Sequence, residues 1–150
     1  MTSILVVCLG NICRSPLAHG ILEALLPNDE FYVDSAGTGD YHIGHSPDQR
    51  SIDVAKQHNI DISHQKARQF QPEDFNTFDH IFVMDQSNYD NVIAVAKNDS
   101  QAKKVKLLLS DLPDAKSTIV PDPYFGDEDG FKIAFDTIYE ACEHIKARLI

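Results

Sequence analysis

Hydrophobic positions along this chain alternate between two rhythms. Ile4-Leu5-Val6-Val7 is a continuous apolar, β-branched run, as expected of a strand buried on both faces. Gly10-Asn11-Ile12-Cys13-Arg14 reads as a turn-like stretch. Ser15-Pro16 reads as a helix start, with Ser15 as the N-cap and proline at the first helical position. Leu17, Ile21, Ala24 and Leu25 follow at helical spacing, and Pro27 lies past the end. The alternation then repeats. Phe31-Tyr32-Val33 predicts a second strand running into Ser35-Ala36-Gly37-Thr38-Gly39, and Ser46-Pro47 predicts a capped helix to about His58. A third strand is expected over 79–85. Ser87 should cap a short helix carrying Val92, Ile93 and Val95, and 105–109 reads as a fourth strand. A Pro- and Asp-rich loop covers 110–130. Phe131, Phe135, Ile138, Cys142, Ile145 and Leu149 then fall at steps of 4, 3, 4, 3 and 4, the apolar stripe of a last helix.

Strands alternating with helices predict an α/β fold: a small doubly wound, four-stranded parallel sheet with helices on both faces. Ligands of such sheets bind beyond the carboxyl ends of the strands, here the loops after residues 7, 34, 84 and 109. No internal repeat, low-complexity tract or linker interrupts the pattern, so residues 1–150 read as a single domain.

Composition narrows the function. Of 150 residues, 43% are hydrophobic, and 13 Lys and Arg stand against 23 Asp and Glu, a net charge of -10. That acidity disfavours nucleic acid and anionic membrane as partners, since both need a basic surface. The N-terminal apolar run ends at Gly10, too short for a signal-peptide core or a membrane span. Three cysteines, at 8, 13 and 142, do not look like a disulfide framework. A cytoplasmic protein with free thiols is the expectation.

Cys8 closes the first strand, and Arg14 follows six residues later at the start of a helix. A Cys-x5-Arg loop so placed can wrap an oxyanion with backbone N–H groups and add the positive end of the helix dipole. The guanidinium supplies a planar fork matching two phosphate oxygens. The same positive field favours the thiolate of a cysteine at the loop's start, so a nucleophile needs no histidine base. The spacing alone is a weak signal; a buried strand before it and a Ser-Pro helix start after it make it specific.

Val7-Cys8-Leu9-Gly10-Asn11-Ile12-Cys13-Arg14-Ser15-Pro16 resembles the signature loop of the low-molecular-weight protein tyrosine phosphatases. The resemblance continues in order through Asp34-Ser35-Ala36-Gly37-Thr38, His64-Gln65-Lys66-Ala67-Arg68-Gln69, Met84-Asp85-Gln86-Ser87-Asn88 and Asp122-Pro123-Tyr124. It implies phosphotyrosine hydrolysis through a phosphocysteine on Cys8, with no metal or cofactor, and tyrosine-phosphorylated proteins or peptides as partners. Arg14 and the amides of Leu9, Gly10, Asn11, Ile12, Cys13 and Arg14 would hold the phosphate. By resemblance the Ser15 hydroxyl points at the Cys8 sulfur.

A phenolate leaving group needs a general acid. Pro121-Asp122-Pro123 is the most distinctive candidate, because two prolines hold the local backbone, and the family's Asp-Pro-Tyr motif selects Asp122. Tyr41 and Tyr124 are candidates for an aromatic slot deep enough to exclude phosphoserine. Phe125 stands where many relatives carry a second tyrosine. Ser35 and His64 match a network bracing the loop together with Asn11, which tolerates a left-handed backbone. Asp85 matches an aspartate bonded to the loop arginine. Cys13, near Cys8 in the same loop, is a candidate disulfide partner for an oxidised nucleophile.

Cys142, on the apolar stripe, reads as core. His42 and His45 read as solvated loop residues rather than metal ligands. Thiol-dependent arsenate reductase shares this kind of loop but needs two further cysteines on a mobile segment, and 80–95 contains none. A non-catalytic phosphate-binding module is disfavoured by the joint presence of Cys8, Arg14 and Asp122. The acidic balance returns as an expectation about selectivity. With Asp122, Asp127, Glu128 and Asp129 by the site and Asp40 and Asp48 on another loop, phosphotyrosine flanked by neutral or basic residues should be preferred.

Overall fold

The computed structural model describes residues 1–110, 112, 120–124 and 128–150. Four parallel strands form one sheet: β1 (Thr2–Cys8), β2 (Phe31–Gly37), β3 (His80–Val83) and β4 (Val105–Leu107), in the order β2-β1-β3-β4. The helices are α1 (Arg14–Leu25), α2 (Gln49–Lys56), α3 (Asp74–Thr77), α4 (Gln86–Ile93), α5 (Asp99–Ala102) and α6 (Glu128–Leu149). The doubly wound fold read from the alternation is present.

β1 shows why its pattern is a run rather than an alternation. Ile4, Leu5, Val6 and Val7 are all fully buried, because each sheet face has its own core. Ile4 and Val6 pack with Leu17, Ile21, Phe135 and Ile138 of α1 and α6. Leu5 and Val7 pack with Phe75, Phe78, Ile81 and Val92 on the opposite face. Burial of five of the six stripe positions of α6, with Leu149 partly buried, agrees with its periodicity.

Helix starts differ from the sequence reading. α1 begins at Arg14 with Cys13 at its N-cap and no side-chain cap, so Ser15 lies inside the first turn. α2 is capped by Asp48, whose side chain accepts from Arg50 N–H, rather than by Ser46. α4 is capped by Asp85, not Ser87. For α2 and α4 the expected serine and the observed aspartate are both good capping residues two positions apart, and it is the aspartate whose side chain accepts from the helix. β2 runs four residues beyond the predicted core of that strand, while β3 and β4 are shorter than predicted. The four-residue helices α3 and α5 carry too little periodicity to be read. The chain moves outward from β1 to β2 and then returns to the other side of β1 at β3. That reversal opens a crevice at the carboxyl ends of β1 and β3, where doubly wound sheets bind ligands.

Candidate active site

Cys8 ends β1 and is 2% exposed, and the chain curls from it into α1. The loop's carbonyls are engaged from outside it. Cys8 O accepts from Thr38 N–H at 2.9 Å, Leu9 O from Gly39 N–H at 2.9 Å, and Ile12 O from Asp48 N–H at 2.8 Å. In a trans peptide the N–H points opposite to the carbonyl. The amides of Leu9, Gly10 and Cys13 are thereby turned inward, the arrangement an oxyanion requires. Two glycines permit this fit. A Cβ on Gly37 would lie 2.7 Å from Leu9 O and 3.1 Å from Asn11 N, and one on Gly10 would lie 2.9 Å from the His42 ring.

A directed hydrogen-bond chain ends on the sulfur. Arg68 N–H donates to Asn11 Oδ1 at 3.0 Å, which fixes the orientation of the amide. Asn11 Nδ2 then donates to Ser15 Oγ at 2.7 Å. The Ser15 hydroxyl lies 3.1 Å from Cys8 Sγ and 3.4 Å from Ala36 O, and toward a Cys8 thiolate it can only donate. Asn11 N–H points at the same sulfur from 3.3 Å. Asn11 adopts the left-handed conformation (φ 57°), as its residue type allows. Because Ser15 is not spent as a helix cap, its hydroxyl is free to serve the sulfur. Arg68 is held in turn by Asp34 and, in a bidentate pair, by Asp74.

Arg14 is 2% exposed, and its Nη1 donates to Asp85 Oδ2 at 2.7 Å and to Val120 O at 2.9 Å. The other Asp85 oxygen accepts from Asn88 N–H at the start of α4. The carboxylate is therefore clamped between helix and guanidinium, as anticipated for Asp85. Asp122 Oδ2 stands 3.7 Å from Arg14 Nη2, while its Oδ1 accepts from Tyr124 N–H at 3.0 Å.

A pocket of about 280 Å³ rises above this floor, lined by Cys8, Leu9, Gly10, Ile12, Cys13, Arg14, Tyr41, His42, Asp122 and Tyr124. The predicted nucleophile, arginine, acid and both tyrosines thus meet in one place. Phe125 and Asp127 lie outside the described residues. His42 was missed as a wall residue: its ring stands 6.4 Å from the rings of both Tyr41 and Tyr124. Its neighbour in sequence, Tyr41, was the available signal.

The bracing network differs from the one the resemblance implies. His64 is exposed and forms no hydrogen bond among the described residues. Both ends of the Asn11 amide are already taken by Arg68 and Ser15. Ser35 is buried but pairs with His19, whose Nδ1 lies 2.9 Å from Ser35 Oγ. His19 Nε2 faces Glu23 at 3.4 Å. No local signal marks His19 beyond its i,i+4 spacing to Glu23 on α1.

Cys13 is buried and its pKa is pushed up to about 12, first by burial and then by Asp48, Cys8 and Asp122. It rests as a neutral thiol. Cys142 is fully buried in the core of α6, and burial pushes its thiol up as well. Among the described residues no group of three or more His, Cys, Asp or Glu is arranged to hold a metal, and the rings of His42 and His45 meet edge to face. Among them, too, no helix is long and apolar enough to cross a membrane.

Comparison with known proteins agrees with this geometry. Residues 3–150 match the family model described as low molecular weight phosphotyrosine protein phosphatase. Phosphatases of that description from Homo sapiens and Dictyostelium discoideum are 40% and 39% identical, over 93% and 91% of this chain and 88% and 87% of theirs. The crystal structure of a protein tyrosine phosphatase from Entamoeba histolytica with Hepes in the active site superposes with a TM-score of 0.94 at 35% identity, covering 99% of this chain and 97% of that one. Vibrio vulnificus Wzb in complex with benzylphosphonate gives 0.89 at 31% identity, covering 98% of each chain.

Proposed function

This chain belongs to the low molecular weight phosphotyrosine protein phosphatase family and is a protein-tyrosine-phosphatase; from that premise we propose the roles of its residues. Residues 1–150 act as one phosphatase domain that hydrolyses phosphotyrosine and aryl phosphate monoesters. Cys8 attacks phosphorus in line, the P–O ester bond breaks, and Asp122 gives a proton to the departing phenolic oxygen. Water then attacks the phosphocysteine, Asp122 takes its proton, and the Cys8 thiolate leaves with the Ser15 hydroxyl donating to the sulfur. Inorganic phosphate is released. Arg14 and the inward amides carry the charge that phosphoryl transfer spreads over the equatorial oxygens.

The observation that carries this reading is the pair of polar contacts on the Cys8 sulfur, the Ser15 hydroxyl at 3.1 Å and Asn11 N–H at 3.3 Å, on the floor of a pocket that also holds Arg14 and Asp122. Tyr41, His42 and Tyr124 form walls that select an aryl ester by reach. The substrate is a tyrosine-phosphorylated protein or peptide. Three unpaired cysteines suit a reducing compartment such as the cytoplasm.

Hydrolysis of 4-nitrophenyl phosphate in EDTA, followed by rapid quench and mass spectrometry, tests the scheme. A phosphate adduct on Cys8 is expected. Turnover without one, or turnover by Cys8→Ser, overturns it. Peroxide oxidises the Cys8 thiolate to a sulfenic acid, which condenses with the Cys13 thiol to a disulfide and water. Detection after mild peroxide of Cys8 only as sulfinic acid would remove Cys13 from that role.

A further inference from the structure

The proton-delivering segment 122–124 reaches the phosphate loop by a second route, separate from Arg14. Asp48 N–H donates to Ile12 O at 2.8 Å, which ties the start of α2 to the loop. The Asp48 carboxylate grips Arg50: Oδ1 accepts from Arg50 N at 2.9 Å and Nε at 3.0 Å, and Oδ2 from Nη2 at 3.0 Å. Arg50 Nη2 also donates to Tyr124 O at 2.9 Å. Its Cζ lies over two rings, 4.4 Å from the Phe131 centroid and 5.7 Å from that of Tyr124. Tyr124 N–H then holds Asp122 Oδ1, leaving Oδ2 as the oxygen toward Arg14.

We infer that Arg50 is a positioning residue that sets the Asp122 carboxyl relative to the phosphate loop by bridging Asp48 and Tyr124. The inference rests on the general-acid reading of Asp122. Arg50 stands outside the described lining of the pocket, so its effect passes through segment 122–124. Only a guanidinium meets all these demands: a planar fork for the carboxylate, a further donor direction for the carbonyl, and a flat face for two rings. A lysine ammonium supplies the charge without the geometry. A general acid works only within hydrogen-bond reach of the leaving oxygen, and a displacement of about 1 Å costs on the order of 100-fold in rate. The loss must therefore depend on how much the leaving group needs the proton.

The test is kcat/KM across aryl phosphates of graded leaving-group acidity, for wild type, Arg50→Ala, Arg50→Lys, Asp122→Ala and the double variant Arg50→Ala/Asp122→Ala. Arg50→Ala should lose about tenfold or more on phenyl phosphate and less than about threefold on 4-nitrophenyl phosphate. Arg50→Lys should restore at most part of the selective loss. In the Asp122→Ala background, Arg50→Ala should add no leaving-group-dependent loss. An equal loss on every ester, or a selective loss persisting without Asp122, overturns the inference. A flat leaving-group profile for Asp122→Ala overturns the general-acid reading first, and the inference with it. If Arg50→Ala does not fold by circular dichroism, Asp48→Asn is read by the same criteria, since it keeps an oxygen to cap α2 while weakening the grip on Arg50.

Discussion

The floor and the wall of the pocket are built to opposite standards. On the floor Cys8 and Arg14 are 2% exposed and Ser15 is fully buried, each held by contacts from several elements. On the wall Tyr41 is 71% exposed and Tyr124 37%, on irregular chain between elements. The floor must present donors in fixed geometry to a charge that exists only in transit, and reorganisation there costs rate directly. The wall must admit a substrate side chain and release a phenol, so it tolerates movement. On the proposed general-acid role Asp122 belongs to both: it sits on the wall, yet it would have to meet an oxygen held by the floor. That double duty explains why its segment is tied down through Arg14 and Arg50 together.

This contrast can be broken at points of decreasing leverage. Cys8→Ser should lower aryl phosphate turnover by about 10⁴-fold or more while leaving thermal stability nearly unchanged, because the replacement is near-isosteric. Measurable adduct formation on Ser15 in that variant would contradict the assignment. Gly37→Ala strikes the floor from behind, since its Cβ would lie 2.7 Å from a loop carbonyl that cannot move without dragging the amides. A loss of about 1–3 kcal/mol in urea unfolding is expected, with turnover down on the order of 100-fold. Gly39→Ala is the matched control on the wall. There the obstruction at 2.6 Å is the Tyr41 ring, which can swing into solvent. KM should rise a few-fold with kcat and stability nearly intact; equal damage from the two alanines would erase the distinction.

Asp85→Asn keeps a bond to Arg14 but removes the charge opposite it. A fall in kcat of about 10-fold to 100-fold is expected, larger than the effect on binding of a phosphate analogue.

The smallest effect is on alkaline stability. Native Cys13 keeps its proton to a pKa of about 12, against an ordinary 9.0, and burial moves Cys142 in the same direction. Above about pH 9 the unfolded chain therefore binds fewer protons than the native one, and stability falls as pH rises. Below pH 9 the contribution is complete. Each cysteine adds up to about 1.4 kcal/mol per pH unit in that window. The stability advantage of wild type over Cys142→Ala in urea should narrow between pH 8 and 10.5, and a constant gap would contradict it.

The chain is most legible where one physical demand acts alone. A strand buried on both faces must be a continuous apolar run, and Ile4-Leu5-Val6-Val7 is one. A helix with one buried face must show its stripe, and α6 does. The Cys8 and Arg14 pair was legible because both lie in one short loop between two such elements. Helix starts were not: Ser46 and Ser87 each stand two positions from an aspartate that caps the helix instead, and α1 begins with no side-chain cap, which leaves Ser15 in its first turn. The resemblance gives His64 and Ser35 to the loop's support, whereas the backbone N–H of Arg68 holds Asn11 and the ring of His19 pairs with Ser35. A backbone N–H carries no residue signature, and a helix position shows its partner only once the sheet is assembled.

The net charge of -10 likewise says little about the site. The donors that face a phosphate are neutral amides and one buried guanidinium. What the amino-acid order determined by itself is the alternating α/β pattern and the phosphate loop, since both depend on residues near one another in the chain. What only the tertiary structure decided is the company that loop keeps: Asp85 across 71 residues, Val120 across 106, and the Asp48–Arg50 bridge to Tyr124 across 74. These partners are polar groups whose pairing depends on distances in space, and no periodicity along the chain encodes such distances.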